Sequence, residues 1–379
     1  MAPIGSVAIT GAEGFLGWHL RCRLKAFRPG LDVRPVGRDQ FGDDVSLSRH
    51  LKGVDAVVHL AGANRGADDE VYDTNVEIAR RLVLALGESS TSPQVVYANT
   101  IQAERDTAYG RSKQEAAQIL STWGKEVGAP VTDLRLPNLF GECGKPNYNS
   151  AVATFCHELA AGTSSHVNLD GKTELLHAQD ACATLVEQLD APEGDSRRVN
   201  GREISIPEVY HRLQRLGRDY GGAFMPSLLD HFDLQLFNAL RTAMFPAYYP
   251  IRLDNHRDSR GSFFEIARGH GKTQTSFSTT KPGVSRGEHY HFEKIERFVV
   301  LHGSADIELR RLFTDDVVSF AVSSDEPVAV DMPPLYAHNI TNTADADLLT
   351  MFWANDHFDA ASSDTFPEPV RLTSSETAR

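Results

Sequence analysis

The chain has 379 residues, 41% of them hydrophobic and 23% charged, with 38 Lys and Arg against 51 Asp and Glu for a formal charge of −13. That length exceeds what one hydrophobic core usually supports, so two domains are expected, and the composition excludes a disordered or fibrous chain. The acidic balance opposes phosphate backbones and no basic patch offsets it. No leader-like segment or long apolar run is visible either, so the expectations are no nucleic acid, no membrane and a cytoplasmic setting.

In chain order, short β-branched runs alternate with longer amphipathic stretches through the first half. The predicted strands are Val7–Thr10, Asp32–Val36, Ala56–Leu60, Gln94–Ala98 and Thr132–Leu136, with helices predicted at Phe15–Phe27, Asn75–Leu86 and Tyr109–Trp123. Strands alternating with helices of this length predict βαβ units and a doubly wound α/β Rossmann domain. A polar stretch at Ala191–Arg202 and an amphipathic helix at Leu228–Ala243 precede the Pro246–Pro250 segment, which places the boundary there: 1–245 and 246–379. Beyond it the texture is that of short strands between turn residues, at Gly261–Ile266, Gln274–Thr279, Arg297–Leu301, Ala305–Arg310, Val317–Ala321, Val328–Asp331 and Leu348–Trp353, which predicts an all-β sandwich or barrel. The four cysteines (Cys22, Cys143, Cys156 and Cys182) show no CxxC pairing, so reduced thiols are expected.

The first chemical signal is Thr10-Gly11-Ala12-Glu13-Gly14-Phe15-Leu16-Gly17, placed between the first strand and the first helix. In that position Gly11 allows the tight turn, Gly14 admits a pyrophosphate to the backbone, and Gly17 lets helix and strand pack closely. At the end of the second strand, Arg38 is suited to a 2′-phosphate and favours NADP over NAD; the alternative is a solvated charge beside Asp39. Tyr109 and Lys113 lie four residues apart on one helix face. With the hydroxyl of Thr100 they form a set able to hydrogen-bond a carbonyl, exchange its proton and lower the phenol pKa. This combination resembles the extended, nucleotide-sugar branch of the short-chain dehydrogenase/reductase superfamily over roughly residues 5–240. The resemblance places Leu60, Ala61 and Gly62 at the cofactor-facing turn, puts Asn75 at the opening of the next helix, and makes Asn138 a substrate contact. His177 and Asp180, in a segment that also matches, are read as capping or core residues.

In the second half, His289, His291 and Glu296 are followed far downstream by His338. Strand alternation sends His289 and His291 to one side, Glu296 returns on the neighbouring strand, and His338 arrives from a distant one, which suits zinc or another divalent first-row metal. These segments resemble both motifs of the cupin superfamily, whose fold is a double-stranded β-helix barrel; Leu335 stands where glycine is usual. The stretches around Arg260, Glu265 and Arg286 also resemble cupin-type sugar-nucleotide epimerases, which implies substrate contacts at those residues. In the metal-free members a histidine matching His289 acts as base. Because His291, Glu296 and His338 complete a ligand set, ligation is preferred for His289, which leaves Tyr290, Glu265 and Tyr336 as proton-transfer candidates.

The fusion of the two parts resembles the bifunctional capsular-polysaccharide reductase/epimerases, which implies a shared substrate, while the cupin resemblance implies a homodimer formed through the sheets. The implied cupin reaction inverts carbon 3 of a UDP-linked 4-keto-6-deoxy amino sugar, UDP-2-acetamido-2,6-dideoxy-hexos-4-ulose. NADPH then reduces the keto group to give UDP-2-acetamido-2,6-dideoxy-L-talose, on the route to UDP-N-acetyl-L-fucosamine. Two rival readings stay open: a catalytically silent cupin serving dimerisation or sugar binding, and iron-dependent oxygen chemistry at the same ligands.

Overall fold

The computed structural model describes residues 4–88, 92–163, 166–259, 261–269, 273–357 and 363–372, with the side chains of 257, 258, 261 and 262 left aside. Internal contacts divide the chain into two compact units, Met1–Phe140 with Lys172–Ser205, and Gly141–Gly171 with Ile206–Arg379. Among the described residues no helix is long and apolar enough to cross a membrane.

The first unit is built on a six-stranded sheet in the order Asp32–Val36, Ser6–Thr10, Ala56–His59, Gln94–Thr100, Val131–Leu136 and Ser196–Arg198. Every pairing in it is parallel. Alternation along strands buried on both faces feeds two apolar cores. Ala8, Val57, Val95 and Tyr97 face one with Leu82 and Leu120, while Val7, Ile9, Val58 and Val96 face the other with Leu20 and Leu185. The chain reverses its direction of strand addition between Ser6–Thr10 and Ala56–His59, and the loops leaving those two strands flank the crevice where such sheets hold ligands.

One boundary differs from expectation. Asn75 lies well inside the helix Asp68–Gly87 and does not open it. Asp68, Asp69 and Glu70 occupy the first turn, where negative charge suits the helix dipole, and Glu70 Oε2 accepts from the Ala67 N–H at 3.3 Å. A separate small sheet of Asn138–Phe140, Lys172–His177 and Arg202–Ser205 was not expected.

The second unit gathers the helices Ala151–Ala160, Ile206–Arg218 and His231–Met244 with two five-stranded antiparallel sheets. One sheet runs Ile251–Arg252, Val328–Met332, Glu296–His302, Leu348–Ala354 and Gln274–Thr280. The other runs Val317–Ser323, Ser304–Arg311, Tyr336–Asn342, Ser285–Tyr290 and Phe366–Pro367. Phe298, Val300, Val330 and Met332 of the first share a core with Ala305, Ile307, Leu309 and Ile340 of the second. The strand expected at Gly261–Ile266 ends at Phe264 and, among the described residues, pairs only with Asn255–Asp258.

A fully buried ion pair lies in this unit: Arg297 Nε and Nη2 donate to Asp331 Oδ1 and Oδ2 at 2.6 and 2.9 Å. Tyr220 donates to Asp331 Oδ2 at 2.5 Å, and Arg297 Nη1 donates to the carbonyls of Gly222 and Ile266 at 2.9 and 3.1 Å. One guanidinium therefore satisfies carbonyls from two segments that an isolated bridge between Phe224 and Arg268 joins to each other.

Two candidate sites

In the first unit Gly11 has φ +70°, and a Cβ there would stand 2.9 Å from the Ala61 nitrogen, so only glycine lets the two crevice loops meet. At Gly17 an added Cβ would stand 2.3 Å from the Gly11 carbonyl oxygen, which fixes how closely the helix Phe15–Phe27 approaches the loop. Gly14 is exposed and caps that helix without a side chain, so the first-turn N–H groups of Phe15, Leu16 and Gly17 have no side-chain cap. An uncapped helix start under a glycine turn at a sheet switch point fits a pyrophosphate. Arg38 is exposed at the end of the second strand and has no ion-pair partner among the described residues. Thr10 Oγ1 is bonded to His59 Nδ1 at 2.7 Å and accepts from the N–H groups of Leu60 and Ala61, tying together the ends of the two crevice strands.

The Tyr109–Lys113 segment sits near the start of the helix Ala108–Val127, which Thr107 caps through its bond from the Gly110 N–H. Lys113 is buried. Its Nζ donates to the Ala98 carbonyl at 3.3 Å and stands 4.2 Å from the centroid of the Tyr97 ring. Burial draws its pKa down to about 7, against the pull of Asp133. Asn75 bridges the crevice loop to this helix. Its Oδ1 accepts from Ala63 N at 2.8 Å, and its Nδ2 donates to Ala63 O at 2.8 Å and to Ser112 Oγ at 3.1 Å. A Cβ on Gly62 would lie 2.9 Å from Asn75 Oδ1 and 3.9 Å from Lys113 Nζ, so Gly62, Asn75 and Lys113 form one cluster. Thr100 ends its strand half-buried, with Oγ1 accepting from Gln102 N at 3.2 Å. Asn138 donates to Thr173 Oγ1 at 2.9 Å, and His177 caps the helix Ala178–Asp190.

In the second unit His289, His291, Glu296 and His338 converge, each offering one atom, with all four atoms within 4.8 Å of one another. His289, His291 and His338 Nε2 stand 3.7, 3.3 and 3.5 Å from the same oxygen, Glu296 Oε2. The route differs from the expected one. His338 is the direct partner of His289 across adjacent strands, whereas Glu296 comes from the other sheet. Neighbours in sequence are not neighbours in the sheet here, because the chain crosses between sheets after Tyr290. His291 lies just past its strand, and the register shifts between Gly287 and His289 while Glu288 adopts φ +58°.

The ring tautomers are fixed from behind. His291 Nδ1 is bonded to the Asp364 carbonyl, and His338 Nδ1 to the Tyr336 carbonyl at 3.1 Å, which turns both Nε2 atoms toward the centre. Fully buried His338 has no hydrogen-bond partner for its Nε2 among the described residues, which suits that nitrogen to metal ligation. Burial lowers its pKa to about 4. Burial pushes the Glu296 carboxyl upward, but the three imidazoles outweigh it and hold the group well below its ordinary range. Leu335 takes a left-handed φ of +62° and is fully buried, so a non-glycine residue holds this turn at a cost in strain.

The other nominated residues do not join this cluster. Tyr290 packs its ring against Phe292 and Phe366. The Tyr336 hydroxyl faces Cys143 Sγ, and Tyr336 meets the cluster only through its carbonyl. Exposed Glu265 pairs with Arg268, and Arg286 donates to Thr280 Oγ1 and the Thr279 carbonyl. Arg260 lies outside the described residues. Sequence reasoning missed Lys294, whose Nζ stands 3.3 Å from Glu296 Oε1, and Asp364, whose carboxylate accepts from the N–H groups of Phe292, Glu293 and Lys294. A basic residue two before the acidic ligand was a usable cue for Lys294; nothing in the sequence signals Asp364.

Residues 7–200 match the NAD dependent epimerase/dehydratase family, and residues 256–366 match the polysaccharide biosynthesis C-terminal domain. A UDP-2-acetamido-2,6-beta-L-arabino-hexul-4-ose reductase from Pseudomonas aeruginosa is 32% identical over 365 residues, covering 95% of this chain and 97% of the relative. The crystal structure of the capsular polysaccharide assembling protein CapF from Staphylococcus aureus superposes with a TM-score of 0.59 at 30% identity, over 96% of this chain and all of that one. RMD from Pseudomonas aeruginosa, solved with NADPH, shares the fold at 20% identity and TM-score 0.56, over 63% of this chain and 99% of its own.

Proposed function

Because the chain belongs to the NAD dependent epimerase/dehydratase family, we propose that it is a bifunctional nucleotide-sugar enzyme that first epimerises and then reduces a 4-keto sugar. On this reading residues 1–245 carry the NADPH-dependent reductase and residues 246–379 a metal-dependent cupin barrel, in a homodimer. The substrate class is a UDP-linked 2-acetamido-2,6-dideoxy-hexos-4-ulose, inverted at carbon 3 and reduced at carbon 4 to the L-talo sugar. The observation behind it is that one chain holds both the cluster at Gly62, Asn75 and Lys113 and the convergence of three imidazoles on Glu296.

In the reductase, Gly11, Gly14, Phe15, Leu16 and Gly17 hold the pyrophosphate, Arg38 the 2′-phosphate, and Leu60, Ala61, Gly62 and Asn75 the opposite wall of the crevice. Bound NADPH supplies the hydride to carbon 4. Tyr109 gives its phenolic proton to the keto oxygen, Thr100 donates a hydrogen bond to that oxygen, and Lys113 keeps the phenol acidic while holding the nicotinamide ribose. In the barrel, His289, His291, Glu296 and His338 hold a divalent metal such as zinc. When bound, it would supply Lewis-acid stabilisation of the negative charge that builds on the 4-keto oxygen while the carbon 3 proton passes to solvent and one returns to the opposite face. Epimerisation precedes reduction because only the ketone acidifies the adjacent carbon–hydrogen bond.

The test is proton exchange without cofactor. Incubating the 4-keto sugar with the protein in deuterated water and no NADPH should place deuterium at carbon 3, read by NMR; absence of label sinks the epimerase half. Lys113 makes a second prediction. Its charge is present in the free protein below about pH 7 and is lost above it. NADPH affinity should therefore weaken as pH rises through that value, by up to about tenfold per unit, while Lys113→Met shows a flat profile in a fluorescence titration.

A further inference from the structure

Glu296 presents its two oxygens to different partners. Oε2 faces the three imidazole nitrogens at 3.3 to 3.7 Å, whereas Oε1 stands 3.3 Å from Lys294 Nζ. The lysine is held in place independently of that contact, because Asp364 Oδ2 accepts from its main-chain N–H at 2.8 Å and Asn355 Oδ1 accepts from the next one, Ile295 N, at 2.8 Å. Its side chain is nevertheless partly open at 19% exposure, as is that of His289 at 22%, whereas His291 and His338 are closed at 2% and 0%. The centre is therefore walled on the His291 and His338 side and reached from the side where His289 and Lys294 stand.

From this geometry we infer that Lys294 is a positioning residue for the metal centre: its ammonium occupies Glu296 Oε1, so the carboxylate gives the metal its other oxygen alone. A carboxylate with both oxygens free can chelate a metal through the pair; an ammonium that draws one oxygen toward itself favours ligation through the other alone. The inference rests on the metal reading proposed above, and on no contact from the first unit.

Cobalt(II) tests it, because its visible absorption is strong in four-coordinate sites and severalfold weaker as coordination number rises. The metal-stripped full-length protein is titrated with cobalt(II) chloride alone, alongside Lys294→Met and Lys294→Arg. Wild type should take up one equivalent with strong absorption. Lys294→Met should take up one equivalent with absorption severalfold weaker, and Lys294→Arg should restore the wild-type spectrum because it returns a donor to Oε1. A Lys294→Met spectrum that superposes on wild type overturns the inference. So does loss of binding by a Lys294→Met protein that keeps its native circular dichroism, because four intact ligands should still suffice. If wild type itself takes up no cobalt, the metal reading has failed, which the titration distinguishes from either outcome at Lys294.

Discussion

Replacing Tyr109 with phenylalanine is expected to lower kcat for ketone reduction by roughly 10²- to 10⁴-fold, the range that general acid catalysis supplies. NADPH binding should stay intact. The substitution removes one oxygen from a half-buried ring on a helix whose capping Thr107 and buried Lys113 are untouched. Lys113→Met should differ in kind, weakening cofactor affinity as well as kcat, because the same ammonium is assigned to both the ribose and the phenol. Deuterium exchange at carbon 3 should be unaffected by either change, since the proposed epimerase chemistry uses none of these groups. Retained NADPH oxidation by Tyr109→Phe, measured as the loss of absorbance at saturating ketone, would overturn the assignment of the acid.

The largest stability effect is expected at the buried pair of Arg297 and Asp331. Removing one partner of such a pair leaves an uncompensated charge and typically costs about 3–5 kcal/mol. Asp331→Asn should therefore lower the melting temperature of the second unit by roughly 6–20 °C, taking about 2–4 °C per kcal/mol for a body of this size. The measurement is calorimetry, in which the transition of the first unit should hold its position. Arg297→Met should cost at least as much, because the guanidinium also satisfies the carbonyls of Gly222 and Ile266. A shift of a degree or two would show that water or a neighbouring group replaces the lost partner.

The chemistry was more legible than the wiring. Gly11, Gly14 and Gly17 are readable because a backbone that must approach a phosphate or another chain tolerates nothing larger, and that demand is local. Tyr109 and Lys113 are readable because helix periodicity puts residues four apart on one face. His289, His291, Glu296 and His338 were nominated as a set from spacing alone, yet their positions in the sheets were exchanged. Which strand pairs with which depends on contacts between segments far apart in sequence, and no local pattern reports them. The helix Ile206–Arg218 was passed over although Val209, Leu213 and Leu216 mark its buried face at helical spacing. Asp364 stayed hidden for the same non-local reason, whereas Lys294 stands two residues before Glu296 and had a local cue. Asp364 acts on His291 through the folded chain, about 70 residues from the main-chain N–H groups it binds.

The division of the chain into units also sets a timetable for synthesis. The segment Gly141–Gly171, with its helix Ala151–Ala160, is made early, but the rest of its unit begins only at Ile206 and extends as far as Val370, whose N–H donates to Glu288 Oε2 at 2.7 Å. At about 5–20 residues per second, the intervening stretch of about 200 residues takes on the order of 10–40 s to emerge from a ribosome. Until the helices Ile206–Arg218 and His231–Met244, on which this helix packs, have been made, Val152, Phe155 and Cys156, which are buried in the finished protein, have no partners to join. The first unit, by contrast, has all its strands by Ser205. A nascent chain stalled shortly after that point should thus already show protease resistance over the first unit, while the helix Ala151–Ala160 is still cut.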